Sequence, residues 1–448
     1  MRTFLLISSL ISFSLHADET APAQKARVVT LKEAIASALK NNLEIKSESF
    51  KAPIAATDIT LIQGELSPKI NAMAGVGPIN GKKGNYTFYQ DTNSWGTEWI
   101  ASIEAKIPLY VWGRGDDLKH AALLNTEINQ LDVNKKQNEI IFKLKEAYFG
   151  WQYALSLLDF VTETQKDLES AINALNEKKN GKKEDVLRLE VLKYQVQEKL
   201  VEIEKTVRLA RMGVNFYIGQ SLKPDEAVQN EREWIEIDER ELRDFDYYVD
   251  LMNTFYPDIQ KVEKGILAKS DLLLSEKKSG RPVLGALVKY DYATTNQRTA
   301  QKNPFIVDNY NHSDVAFGVG ITWDIDFGVK QSKQDKLVLE IAELRSKEMF
   351  AHEGLKVLLN KAYMEVEETK ARAAALRNAY KSAKRWMTNI GSSVALGLTP
   401  AKDIVDAYTT RALVYKDYYE SLYRYQMAWA SLSSAVGTEV DPLITQKQ

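Results

Sequence analysis

A chain of 448 residues without a single cysteine can hold no disulfide framework, no thiol nucleophile and no lipid-bearing N-terminal cysteine. Its 59 basic and 61 acidic residues leave a net charge of −2, which offers nucleic acid no general attraction. A mean hydropathy of −0.33 describes a water-compatible chain, but membrane β-strands alternate and escape such averages.

Arg2 precedes an apolar run from Phe4 to Phe13, and Ser14-Leu15-His16-Ala17 ends on a small residue. That order is a secretory signal peptide over residues 1–17, with cleavage expected after Ala17 and Asp18 as the mature N-terminus. The alternative is a buried N-terminal segment, since ten residues are too few to span a bilayer. No later stretch supplies the roughly 18 consecutive apolar residues of a membrane helix.

Thr30 to Glu65 shows helical spacing, and Thr30 with Glu33 three residues on makes a capping box. Alternating segments at Lys69–Val76 and Trp99–Val111 predict two strands, with Ile79–Glu98 as an exposed loop between them. A helical pattern then runs from about Asp116 to Glu177, breaks at Asn180-Gly181 and resumes from Glu184 to Tyr217. Residues 220–250 hold eleven acidic and four basic side chains, a polar belt outside the main bundle. Beyond it the same order returns: helix to about Lys278, strands at Val283–Tyr292 and Val315–Phe327 around a loop at Thr295–His312, helix from Lys330 to Asn389, a break at Gly391–Pro400, and helix to Ala435.

This is one plan used twice. Asn42-Leu43-Glu44-Ile45 is echoed by Tyr256-Pro257-Asp258-Ile259, and Pro68 by Pro282 at the same spacing. Gly113 pairs with Gly328, Asp185 with Asp403 and Gly219 with Gly437, the spacing lengthening by only a few residues. The mature chain therefore divides into a first repeat at 18–219, a segment at 220–247, a second repeat at 248–437 and a short tail at 438–448.

The strands carry the functional signal. Trp99, Ile103, Ile107, Leu109 and Val111 fall on one face, opposite Ser102, Glu104, Lys106 and Tyr110; Val315 to Ile325 alternates apolar residues with Gly, Thr and Asp. A half-buried soluble sheet shows the same alternation. The aromatic residues Trp99, Trp112, Tyr290, Trp323 and Phe327 near strand ends favour the membrane, where such residues form girdles at the interfaces. Four strands cannot close a barrel, and an open edge in lipid strands its backbone groups, so the barrel must be shared between copies. Two chains would give eight strands and three would give twelve. The helix from Asp116 would reach about 90 Å, with a seam of Leu144, Tyr148, Trp151, Leu155 and Leu158, so it must stand out from the bilayer. The breaks at 180–181 and 397–400 are its hairpin tips.

Leu31-Lys32-Glu33-Ala34-Ile35, Pro108-Leu109-Tyr110 leading to Gly113-Arg114, a glycine closing each repeat, and Asp403-Ile404-Val405-Asp406-Ala407 within Gly397 to Ala407 occur in order. Over residues 28–437 the sequence resembles the TolC-like outer-membrane factors. The resemblance implies a mixed α and β membrane protein: a homotrimer with a twelve-stranded barrel in outer-membrane lipid and a hollow α-helical tunnel in the periplasm. It implies a passive conduit for efflux or type I secretion. Asn180, Gly181, Gly397, Leu398 and Thr399 would be the docking tips for a periplasmic adaptor, which connects to an inner-membrane pump of the resistance-nodulation-division, ABC or major-facilitator type. Asp403 and Asp406 would face the pore, placing six carboxylates at one constriction; by position alone they could equally be a solvated helix start. Some family members carry a Tyr and an Arg just before this pair, where Val394 and Thr399 stand here, so any closure uses other contacts.

The rival readings are thinner. His120, His312 and His352 have no metal-ligand spacing, and neither G-x-x-x-x-G-K-[ST] nor G-x-S-x-G occurs, so no enzyme and no cofactor is expected. Gly75 and Gly77 lie within a strand and reflect close packing. A periplasmic coiled-coil scaffold or adhesin would explain the helices without the strands. The exported substrate is set largely by the pump.

Overall fold

The computed structural model describes residues 27–85, 88–177, 183–222, 226–228, 240–395 and 401–445. The expected signal segment, both hairpin tips and most of the acidic belt lie outside the described residues.

The first described element is a strand the sequence reading missed: β1 (Arg27–Val29) pairs in parallel with β4 (Glu226–Val228). The capping box forms as expected, with Thr30 accepting from the Glu33 N–H and the Glu33 carboxylate accepting from the Thr30 N–H. The single helix expected to Glu65 is instead three, α1 (Leu31–Asn41), α2 (Leu43–Glu48) and α3 (Lys51–Glu65). Asn42 makes the first break. Its Oδ1 accepts from Glu44 and Ile45 N–H to start α2, and its Nδ2 donates to the Tyr217 carbonyl at 3.0 Å.

Two helices dominate the molecule. α4 (Arg114–Glu177) has 64 residues and α8 (Val329–Ala395) has 67, each about 100 Å long at 1.5 Å per residue. Shorter helices flank them: α5 (Lys183–Ile218), α6 (Phe245–Phe255), α7 (Pro257–Ser279), α9 (Ala401–Val436) and the terminal α10 (Pro442–Thr445). Near the sheet the packing order is α3, α4, α7, α8; further out it is α5, α4, α9, α8. A staircase of ion pairs joins α4 to α7, with Asp117–Lys278, Glu127–Lys264, Asp132–Lys261 and Lys135–Asp258 at 2.5–2.8 Å.

Matched cores sit at the root of each half. In the first, Ile140, Leu144, Tyr148 and Trp151 of α4 close on Val214 and Ile218; in the second, Leu359 and Val366 of α8 close on Tyr425, Trp429 and Leu432. Each root ends on a glycine that only a residue without a side chain can supply. Gly219 (φ +69°) presses against the Asn41 backbone, and Gly437 (φ +85°) against the Phe255 backbone, where a Cβ would fall within 3 Å of main-chain atoms. Buried Arg240 ties the end of the acidic segment to the C-terminal tail, donating to Gln426 at 2.6 Å and pairing with Asp441 at 3.4 Å.

The sheet contains β2 (Lys69–Gly84), β3 (Tyr89–Tyr110), β5 (Val283–Thr295) and β6 (His312–Thr322), antiparallel throughout in the order β2-β3-β5-β6. Two expectations change. Most of Ile79–Glu98 is strand, because β2 and β3 continue to a tight turn near Gly84. The last strand ends at Thr322 and stops short of Phe327, because the Asp326 carboxylate accepts from Gly328 and Lys330 N–H and caps α8, pulling the chain out of the ladder.

Candidate functional site

Pairing register turns four separate alternations into two continuous surfaces. Ala72, Ile103, Tyr290 and Val315 stand side by side across the sheet, and Ile70, Ala105, Val288 and Phe317 form the next row. The opposite face carries Asn71, Glu104, Lys289 and Ala316, then Met73, Ser102, Asp291 and Asp314. The apolar face is open to its surroundings, Phe317 being 86% exposed and Ile321 71%. A soluble sheet would cover such a face; one that meets lipid need not.

The five aromatic residues singled out in the sequence take different stations. Trp99 lies toward the end of the sheet remote from the helices. Trp112, Trp323 and Phe327 lie just past the helix-proximal ends, with Phe327 fully exposed. From Trp99 to Tyr110 is about 37 Å along the strand, or roughly 25–30 Å of height at membrane tilt. Tyr290 sits mid-strand, inside the apolar field and away from its margin. Trp112 and Trp323 are also bolts. Trp112 Nε1 donates to the Pro282 carbonyl at 2.6 Å and Trp323 Nε1 to the Gly280 carbonyl at 3.0 Å, gripping one turn from two strand exits.

At the far end, Ile404 and Tyr408 of α9 are buried against Leu168 and Ile172 of α4 and Leu189 of α5. That packing fixes the rotation of the helix and leaves Asp403 half-buried and Asp406 exposed on another flank. The matched turn of α5 differs: Arg188 pairs with Glu184 at 2.7 Å, so Asp185 shares its turn with a cation. Asn180, Gly181, Gly397, Leu398 and Thr399 lie outside the described residues, as does the side chain of Val394.

The sequence reading missed Arg411. Two turns above Asp403, it lies almost buried over the Phe160 ring at 5.1 Å and reaches Glu163 at 3.3 Å and Asp167 at 3.5 Å. It is a charged tie between the second hairpin and the first. Its signal was weak because both partners lie about 250 residues away in sequence. Burial, with help from Asp167, pushes the Tyr408 phenol up to about 12.

The outer membrane efflux protein family model matches residues 34–206. Over those residues the chain is similar to that family, and its fold is that of solved outer-membrane channels. Solved channels share this fold at low identity. The MtrE outer membrane channel of Neisseria gonorrhoeae, in its open state, superposes with a TM-score of 0.73 at 16% identity over 92% of this chain and 89% of that one. The CmeC outer membrane channel of Campylobacter jejuni gives 0.72 at 14% over 92% and 86%. The outer membrane protein VceC of Vibrio cholerae gives 0.69 at 13% over 91% and 96%. No curated protein matches. The chain thus joins an apolar-faced sheet to two pairs of long helices, the second of which carries Asp403 and Asp406 at its far end.

Proposed function

We propose that three copies of this chain close into one twelve-stranded barrel in the outer membrane and one helical tunnel in the periplasm, forming a passive exit duct for a tripartite efflux or type I secretion system. One observation carries the reading: the molecule has two unfinished edges along its whole length. β2 and β6 are the free margins of the sheet. On the β2 side, Leu187, Val191, Tyr194, Val201, Leu209, Met212 and Phe216 run as an exposed stripe along α5, continued by Ile54 and Leu61 on α3. On the β6 side, Leu339, Phe350, Val357 and Met364 form the stripe on α8. Two different edges can satisfy each other only head to tail, which produces a ring when the rotation closes. With four strands up-down-up-down, β6 of one copy meets β2 of the next antiparallel. The count of three comes from the family.

A pore-free scaffold would leave the apolar sheet face and both stripes in water. Adaptor docking at the tips and coupling to an inner-membrane pump follow from the family reading, and the pore ring from Asp403 and Asp406. The test is mass. Light scattering and heat-modifiable migration of the protein in mild detergent should give one species of three chains. A monomer with a complete β-barrel spectrum would overturn the shared barrel.

A further inference from the structure

Among the described residues of the four barrel strands, those that are fully buried are Ile79, Gly81, Ala293 and Thr295. All lie on the polar face and at the end remote from the helices, in register with Gly96, Ile100 and Glu98. Against this end of the polar face, over Gly81 and Gly96, lies the segment between Thr295 and His312.

That segment is fastened to the strand pair at several points. Gln297 lies across two positions that lack side chains: a Cβ on Gly96 would sit 2.0 Å from its Cγ, and one on Gly81 would sit 2.8 Å from its Oε1. The Ser94 hydroxyl donates to the same Oε1 at 3.0 Å, and the Gln297 carbonyl accepts from Lys82 N–H at 2.9 Å. The strand pair bends here, its register slipping between Asn80 and Lys82 while Asn93 turns to φ +50°. Bulges at barrel rims re-aim a strand in this way. Further on, the Thr299 hydroxyl accepts from Gly84 N–H and Gln301 Nε2 donates to the Gly84 carbonyl. Asp308 secures the return, accepting from Gln301, Tyr310 and Asn311 N–H at 2.7, 3.0 and 3.0 Å. Burial pushes its carboxyl up, but the three donors outweigh that and hold it below the ordinary range, so it remains a charged acceptor.

We propose that residues 296–311 are an inward-folded flap that narrows the outer mouth of the duct and sets the largest solute able to leave it. The proposal rests on the conduit reading, because the flap lies on the polar face that becomes the lumen. Around a three-fold axis, three flaps would project from the wall just above the row of Ser102 and Asp291. Their tips, Lys302 to Phe305, are exposed and free to meet what passes.

The absence of native cysteine makes a single introduced thiol a clean reporter. Ser102→Cys places one in the lumen below the flap, and Asn303→Cys places one on the flap tip. Intact cells are treated with a small maleimide and with a bulky polyethylene-glycol maleimide. Asn303→Cys should react with both, and Ser102→Cys quickly with the small reagent only. Adding Asp308→Ala to the Ser102→Cys variant removes all three of the hydrogen bonds to that carboxylate and should speed its bulky reaction by at least roughly tenfold, the factor that one net charge-assisted hydrogen bond alone commands. Gln297→Gly should do the same through the other fastening, leaving Asp308 intact. Unchanged bulky-reagent rates in both variants, with normal trimer yield, would overturn the flap and leave the duct standing. Failure of even the small reagent at Ser102→Cys, with Asn303→Cys reactive, would show that this face is not the lumen and would overturn both.

Discussion

Asp403 and Asp406 draw their meaning from their setting, which is built by apolar neighbours. Ile404 and Tyr408 bury into α4 and α5, and the helix can present its carboxylates only on the flank that remains. Three-fold symmetry would gather six of them at the far end of the helices, and attraction for a cation scales with its charge. Trivalent cations added from the periplasmic side should therefore block conductance in planar bilayers far better than monovalent ones. Asp403→Asn with Asp406→Asn should abolish the block while trimer and barrel persist. Asp185→Asn should change it little, since Arg188 already shares that turn. Equal block of the double variant and the parent would reduce the pair to a solvated helix start. The sequence shows that i and i+3 share a helix face, but the pore role came only from the family resemblance, and the exposure depends on which side the neighbouring hairpin covers.

At the scale of elements, the described parts of the two hairpins meet near the tip through an apolar cluster and a charged tie. Arg411 crosses from α9 to Glu163 and Asp167 of α4, beside a stack of Phe160 on Tyr415 with ring centroids 3.9 Å apart. Among the described residues Arg411 is thus a charged tie between the hairpins near their far end. Arg411→Gln keeps most of the volume and hydrogen bonding while removing the charge. It should raise single-channel conductance and leave the barrel unchanged, at a stability cost of about 1–3 kcal/mol for a half-buried charge-assisted bond. Conductance identical to the parent would show that the tie does not restrain the pore. The glycine ends of the repeats admit a similar check. Gly437→Ala meets both a positive φ and main-chain atoms within 3 Å, so backbone strain of about 1–2 kcal/mol alone should lower the thermal midpoint by roughly 1–2 °C, and the main-chain clash should lower it further. An unshifted melting curve would mean that the root can relax around it.

The whole molecule is an incomplete wall. Its two long edges differ in shape and chemistry, and its sheet has one face fit for lipid and one fit for water. The β2–β3 turn and the β5–β6 flap project from one end, and the helices from the other. A small epitope inserted at Gly84 or Asn303 should therefore be detected on intact cells, whereas one at Lys182 should stay hidden until the outer membrane is opened. Surface labelling at Lys182 would invert the orientation. Insertion at Asn303 should also widen or obstruct the exit if the flap is a filter, so its effect on conductance links this test to the thiol experiment.

Elements that repeat with a short period, and the order in which they come, are written in the residues themselves. Alternation over Trp99–Val111 and Val315–Ile321, a 4-3-4-3 seam from Leu144 to Leu158, and paired glycines at 113/328 and 219/437 are local signals, and local sterics and hydrophobicity decide them. Partners hundreds of residues apart settle much of the rest. Asn42 breaks a helix because the Tyr217 carbonyl waits for its amide. Asp326 ends a strand because it can cap a helix instead. Most of Ile79–Glu98 became strand although it is polar, since the pairing of β2 with β3 satisfies its backbone whatever its side chains. Gln297 folds the second outer loop inward because Gly81 and Gly96, far earlier in the chain, leave it room. Periodicity shows which face of an element is apolar, but only packing shows what that face meets.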